Sequence, residues 1–106
     1  MLTKKQTAGI KAKLDDADNT TLPLAFQALG DPCRFKVFKA LMGHRGMCVT
    51  DVANIFGITV SAASQQLRIL ERLGLVLKIR MGQMVCYEIN NKSPVARSLS
   101  KLLKGQ

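Results

Sequence analysis

No run of apolar residues in this 106-residue sequence is long enough to cross a membrane. Met1 and Leu2 open a charged, polar stretch, which differs from the apolar core of a signal peptide. We therefore expect no membrane partner and a cytoplasmic location. Internal repeats and low-complexity segments are also lacking, so the length and the 47% apolar content favour one small domain over residues 1–106.

Cysteine and histidine are scarce. Cys33, Cys48 and Cys86 are an odd number without a paired framework, so we expect reduced thiols rather than disulfides. His44, the single histidine, lies in a predicted loop without partner ligands, which favours a solvated side chain over a metal ligand. A pairing of Cys48 with His44 has no third orienting group, and we expect no enzymatic activity.

Acidic residues are also few, since seven Asp and Glu oppose sixteen Lys and Arg, a formal charge of +9. The imbalance is strongest from Val52 onward, where the only acids are Glu71 and Glu88. The cations of this half are Arg68, Arg72, Lys78, Arg80, Lys92, Arg97, Lys101 and Lys104. A half of the chain with this much positive charge suits a polyanionic partner, most commonly nucleic acid. The alternative is that the cations form a solubilising surface.

Residues 49–73 have the pattern of a helix-turn-helix, with a turn at Gly57, a candidate N-cap at Thr59 and a candidate left-handed residue at Gly74. At about 100° per residue, the second helix has a narrow apolar stripe and an opposite polar row without acids. The apolar stripe consists of Ala63, Leu67 and Leu70. The polar row consists of Ser61, Gln65, Arg68 and Arg72.

From residue 75 to residue 89 the apolar residues recur with the strand period of 2 instead of the helical period of 3.6. Two such alternating runs flank a glycine-containing loop. This pattern predicts a β-hairpin, and a hairpin directly after a recognition helix is a wing. Lys78, Arg80 and Gln83 of the wing are predicted to contact backbone phosphates or a minor groove.

These patterns predict a mainly α winged helix-turn-helix, with about five or six helices, a β-hairpin wing and two antiparallel strands. We expect sequence-specific binding of double-stranded DNA through the second helix. Its predicted DNA-binding residues are Ser61, Ala62, Ser64, Gln65, Arg68 and Arg72. The alternative is a winged-helix module that binds protein or acts as a scaffold, with an incidental basic face.

The helices predicted over residues 3–14 and 94–104 are candidate dimerisation elements. The second begins at a Ser-Pro cap signal and has a leucine stripe that needs a covering surface. The predicted interface residues are Ile10, Leu14, Val95, Leu99, Leu102 and Leu103. The alternative is that the last helix packs back on its own domain.

Two further helices are predicted before the helix-turn-helix, over residues 22–30 and from Pro32 onward, the latter capped by Asp31. Residues 15–21 are polar and predict a linker or bend. All four phenylalanines lie before the recognition helix and are predicted to be core. They are Phe26, Phe35, Phe38 and Phe56.

Three segments carry a resemblance to a known family: ALGDPCRFKVFKAL, MCVTDVANIFGITVSAASQQLRILERLGLV and VCYEI. They combine Asp-Pro-x-Arg with a Ser-x-x-Ser-x-x-Leu core. The chain resembles the ArsR/SmtB family of bacterial and archaeal winged-helix repressors. The resemblance implies a homodimer joined by its terminal helices, a palindromic operator read by two recognition helices, and repression released by an effector.

The effector sites that the resemblance implies match poorly. The family's thiol pattern Cys-Val-Cys-Asp-Leu is CVTDV at residues 48–52 here, with Thr50 in place of the second thiol. The family's other zinc site needs Asp and His on the last helix, and residues 91–103 contain neither. A sulfur-sensing subgroup pairs a cysteine placed like Cys33 with one on the last helix, which is also absent.

Cys48 and Cys33 remain as a candidate pair for a soft metal or an arsenical. Such a site needs a third ligand, and we expect the wing to hold Cys86 well away from Cys48. The alternative is that the cysteines are small apolar residues filling gaps. We therefore predict no cofactor and no tight binding of Zn(II) or arsenite, and thiol oxidation at Cys48 or Cys33 as the input if there is one.

Overall fold

The structure is a computed structural model that describes residues 1–16 and 21–105. These residues form six helices and a three-stranded sheet. The helices are α1 (Lys4–Asp16), α2 (Thr21–Leu29), α3 (Pro32–Gly43), α4 (Val49–Phe56), α5 (Val60–Arg72) and α6 (Pro94–Leu103). The strands are β1 (Met47–Cys48), β2 (Val76–Met81) and β3 (Met84–Ile89). The predicted linker over residues 15–21 is wrong at both ends, since α1 continues to Asp16 and α2 begins at Thr21. Its residues 17–20 lie outside the described residues.

Local signals begin and end the helices where the sequence predicts. Asp31, Thr59 and Ser93 each accept a hydrogen bond from the backbone N–H three residues on, at 3.0, 3.0 and 3.1 Å. These bonds satisfy donors that the first turn of a helix otherwise leaves unpaired. Gly57 (φ 62°) and Gly74 (φ 74°) adopt the left-handed conformation that ends α4 and follows α5.

The sheet has the order β1-β3-β2, and both pairings are antiparallel. The prediction of two strands missed β1, because a strand of two residues leaves no alternation in the sequence to detect. Its two residues pair with the middle of β3, Met47 with Tyr87 and Cys48 with Cys86. The segment that leads into the helix-turn-helix is therefore hydrogen-bonded to the wing.

The sheet has two faces of different character, because side chains alternate along a strand and directly paired residues share a face. One face, here called the α5 face, carries Lys78 with its partner Tyr87. The other, called the opposite face, carries Leu77 with its partner Glu88. Tyr87 is buried and Leu77 is exposed, so the helical core packs on the α5 face.

The prediction that every phenylalanine is core is wrong. Phe38 is fully buried, but Phe35 and Phe56 are only partly buried and Phe26 is 56% exposed. In α2 the core contact is made by small residues such as Ala25, so the neighbouring Phe26 lies on another side of the helix. The large aromatic side chain therefore remains on the surface of the protomer.

The prediction that a monomer exposes the leucine stripe of α6 is wrong for most of the stripe. Leu99 is only 5% exposed and packs with Ala96 in the core of its own chain. Val95 and Leu103 are partly buried against the same core, whereas Leu102 is 62% exposed. The helix thus packs back on its own domain, as the alternative held, and leaves one leucine outside.

Helix α1 differs from the others because all of its residues from 4 to 15 are exposed. Ile10 and Leu14 are 47% and 61% exposed.

None of the helices in the two described ranges is long and apolar enough to span a membrane.

Candidate nucleic-acid interface

The position of α5 is set by its apolar stripe. Ala63, Leu67 and Leu70 are completely buried in the core, as the helical periodicity predicts. Helix α4 packs against α5, and a short turn joins the two helices. In this turn the Ile58 N–H donates to the Ala53 carbonyl at 3.0 Å. Burying the stripe leaves the opposite side of α5 facing away from the core.

The predicted recognition residues lie on that outward side. Ala62 and Ser64 are half-buried, and the other four are exposed. The exposed residues are Ser61, Gln65, Arg68 and Arg72. The row contains hydroxyl, amide and guanidinium groups, and the one acid of the helix, Glu71, is partly buried beside it. Such groups can donate to base edges and phosphates.

The wing places its predicted cations on the same side of the molecule as α5. Lys78 and Arg80 are exposed and belong to the α5 face of the sheet. Burial raises the pKa of the Tyr87 hydroxyl, Glu71 raises it further, and Arg68 lowers it. Tyr87 is paired with Lys78 of β2, and β2 packs against α5, so the root of the wing lies beside the recognition helix. Gln83 is exposed in the turn, where Gly82 has φ 67°.

A contact that sequence reasoning missed holds α5 to the preceding helices. The Arg34 guanidinium donates from Nε to the Ala28 carbonyl at 2.9 Å and from its terminal nitrogen to Gln66 Oε1 at 3.2 Å. One side chain of α3 therefore joins α2 and α5. The Asp-Pro-x-Arg motif includes Arg34, but the motif does not indicate which residues the arginine contacts.

The two candidate thiols of the sequence, Cys48 and Cys33, differ in their bonding. Cys48 is bonded in a disulfide to Cys86, with a Cα–Cα distance of 3.7 Å, and the free cysteine is Cys33. The expectation of reduced thiols therefore fails for two of the three cysteines. The wing does not hold Cys86 away from Cys48, because β1 pairs directly with β3.

Metal ligands do not gather in the described ranges, which contain no group of three or more His, Cys, Asp or Glu side chains suited to a metal ion. His44 is exposed just after α3. The absence of tight Zn(II) or arsenite binding stays a prediction.

Comparison with known proteins assigns the family. Residues 31–78, which contain α3, α4 and α5, match the family described as "Bacterial regulatory protein, arsR family". The cadmium resistance transcriptional regulatory protein CadC of Listeria innocua is 36% identical over 81 residues, which cover 76% of this chain and 68% of that protein. The chain belongs to the arsR family. The family resemblance seen in the sequence is thereby confirmed.

Solved structures confirm the winged helix-turn-helix fold of this arsR-family protein. The homodimeric winged helix-turn-helix DNA-binding domain of Mb0332 from Mycobacterium bovis, a possible ArsR-family transcriptional regulator, has a TM-score of 0.69 and 29% identity. That similarity covers 89% of this chain and 81% of the other. HlyU from Vibrio cholerae has a TM-score of 0.72 over 83% of this chain and 92% of its own, and at 23% identity it supports the fold alone.

Proposed function

We propose that this transcriptional regulator is a homodimeric repressor that reads a palindromic operator with α5 and contacts the flanking phosphates with its wing. The observation that carries the proposal is the exposed, acid-free row on α5 beside the cations of the α5 face of the sheet. A protein-binding or scaffolding winged helix does not need this combination.

Within α5, the first half of the helix reads the bases. In a helix-turn-helix the N-terminal residues of the recognition helix enter the major groove. Ser61, Ala62 and Gln65 lie there, and a glutamine amide can donate to and accept from adenine. Ser64, Arg68 and Arg72 lie beside or beyond them and contact the phosphates.

Self-association places two recognition helices on one operator. A single protomer leaves a set of large apolar side chains exposed on α1, α2 and α6, and a second copy would cover them. The set consists of Ile10, Leu14, Leu22, Leu24, Phe26 and Leu102. The related Mycobacterium bovis domain is described as homodimeric.

The input that releases the DNA is proposed to be a thiol reaction rather than a metal. Thr50 offers a hydroxyl where the family's thiol pattern has its second sulfur, and a hydroxyl is a poor ligand for a soft ion. The bond between Cys48 and Cys86 occupies the remaining sulfur of that pattern. Oxidation by hydrogen peroxide would join the two thiols and release two waters, and a dithiol would reduce the bond again and be oxidised in turn to its own disulfide.

The proposal is tested by selecting operators from random duplex DNA and comparing the parent with Gln65→Ala. The variant is expected to lose about 1–3 kcal/mol of affinity for the selected duplex and little for a scrambled one, because base contacts carry sequence preference. The matched control is Gln27→Ala, an exposed glutamine of α2, which should bind like the parent.

Two outcomes contradict the proposal. If Gln65→Ala binds the selected and scrambled duplexes as the parent does, α5 does not read the bases. If the parent binds no duplex even at low salt, where phosphate contacts are strongest, the scaffold alternative is favoured.

A further inference from the structure

A cleft of about 860 Å³ lies between the end of α3, the sheet and α6. Its lining includes apolar residues from three elements, Leu77 of β2, which is 38% exposed, and the nearly buried Leu41 of α3 and Ile89 of β3. The volume is within the range of small-molecule sites, which are mostly apolar with a few placed polar groups. The cleft therefore has the size and the apolar lining of a ligand site.

The remaining lining is strongly basic. Four of its cations lie on α6 or within two residues of its ends: Lys92, Arg97, Lys101 and Lys104. Among the described residues, Glu88 is the one acidic residue that lines the cleft. Its Oε2 is 2.8 Å from Nε of Arg45. Since that carboxylate is already bound, the four cations leave the cleft with a net positive charge that suits an anion.

This charge lies away from the proposed DNA-reading surface. Leu77 and Glu88 are directly paired on the opposite face of the sheet, whereas Lys78 and Tyr87 are on the α5 face. Ile89, the other strand residue of β3 in the lining, alternates with Glu88, so the cleft lies at the end of the sheet formed by the last pairs of β2 and β3 and has no lining residue from α5. Contacts with DNA through α5 and the wing do not account for the cations of the cleft.

Helix α6 also keeps the cleft apart from the proposed dimer surface. At about 100° per residue, Arg97, Lys101 and Lys104 form a stripe centred roughly 130° from Leu102. Leu99 and Ala96 form a third stripe, which is buried in the core. A partner seated on Leu102 would leave the basic stripe open.

We propose that the cleft binds a small organic anion with an apolar body, of the class of aryl or medium-chain carboxylates. The carboxylate lies among the cations of α6, and the apolar body lies against Leu41, Leu77 and Ile89. An inorganic anion would use the charge and leave the apolar lining uncovered. The site does not depend on the DNA-binding proposal, because it shares no residue with α5 or with the cations of the wing.

The test is a titration of the full chain, labelled with ¹⁵N, with 2-naphthoate. Backbone amide shifts are expected in residues 97–104 and at Leu77 and Glu88, with little change in residues 61–72. The neutral analogue 2-naphthylmethanol and inorganic phosphate should each bind at least about tenfold more weakly, because each lacks one half of the recognition.

Paired variants separate this site from a general effect of charge. Lys101→Gln with Lys104→Gln should weaken naphthoate binding about tenfold, since two exposed charges near the carboxylate are removed. Lys4→Gln with Lys5→Gln removes the same charge from α1 and should bind like the parent. Glu88→Gln should tighten binding, because it removes the one carboxylate of the lining.

The proposal is overturned if the α1 variant loses as much affinity as the α6 variant, or if naphthoate shifts only residues outside the cleft. Equal binding of the neutral analogue or of phosphate also overturns it, as does the absence of any binding at millimolar naphthoate.

Discussion

Among single residues, Cys48 and Cys86 connect the two parts of the proposed interface. Cys48 directly precedes α4, and its backbone N–H donates to Asp51 Oδ2 at 2.9 Å. Cys86 lies in β3 of the wing and is fully buried. Their bond links positions 38 residues apart in the sequence, so it restricts the unfolded chain over the whole helix-turn-helix.

Reduction of this disulfide is expected to lower the free energy of unfolding by up to about 4 kcal/mol, the loop-closure value for a loop of this length. The measurement is urea unfolding followed by far-UV circular dichroism, with and without a phosphine reductant. Cys33→Ser should keep the difference between the two conditions, and Cys86→Ser should abolish it. Alkylation of all three cysteines in the oxidised protein would show that the bond does not form.

Single residues were predictable where their role is local. The caps at Asp31, Thr59 and Ser93 depend on an oxygen and a backbone N–H three residues away, and the sequence shows both. The Cys48–Cys86 bond and the Arg34–Gln66 contact depend on which distant elements meet. No local pattern indicates such contacts, so the sequence left Cys33 as the candidate neighbour of Cys48 and wrongly placed Cys86 away from it.

At the scale of elements, the wing is the part whose proposed role is independent of DNA sequence. Lys78→Ala or Arg80→Ala is expected to weaken binding to all duplexes alike and to reduce the salt slope of log K by about 1 each. Fluorescence anisotropy at several salt concentrations measures both quantities. Lys5→Ala, an exposed lysine of α1, is the matched control. A variant that loses affinity for the selected duplex alone would mean that the wing reads bases.

Element types were predictable from periodicity, but the packing of their faces was not. Both strands of the wing alternate apolar and polar residues, yet Leu77 and Tyr87 lie on opposite faces because Leu77 pairs with Glu88. Alternation indicates a strand without indicating its register, which is set by the two-residue turn. In α6 the leucine spacing likewise predicted a helix, while Leu99 packs inward and Leu102 outward.

For the whole molecule, the exposed apolar side chains predict a dimer of about 23 kDa, twice 11.6 kDa. Ile10→Glu with Leu102→Glu should give a folded monomer that binds the selected operator much more weakly, because two half-sites are no longer read together. Leu99 is left unchanged, since a charge at this buried position would destabilise the protomer itself. Size-exclusion chromatography with light scattering measures the mass.

The control for the dimer is Ile55→Glu, which places the same charge at a 56% exposed isoleucine of α4 and should leave the mass unchanged. A parent protein that scatters as 11.6 kDa at micromolar concentration would contradict the prediction.

The fold and family were predictable at this scale, because the helix-turn-helix and the wing are contiguous in sequence. The distribution of charge was not. Counted along the chain, the cations after Val52 form one basic half that suits nucleic acid. In three dimensions they fall into two groups, with Arg68 and Lys78 exposed on the recognition helix and the wing, and Lys101 and Lys104 lining the cleft.

The central strand, β3, connects three of the regions described above. Cys86, Tyr87 and Glu88 are consecutive residues of β3, and they belong to the disulfide, the buried core and the wall of the cleft. Adjacent residues of a strand are about 3.3 Å apart, so no other layer separates these three environments. A contact on one face of the sheet that displaces the β3 backbone therefore also moves the β3 side chains on the other face.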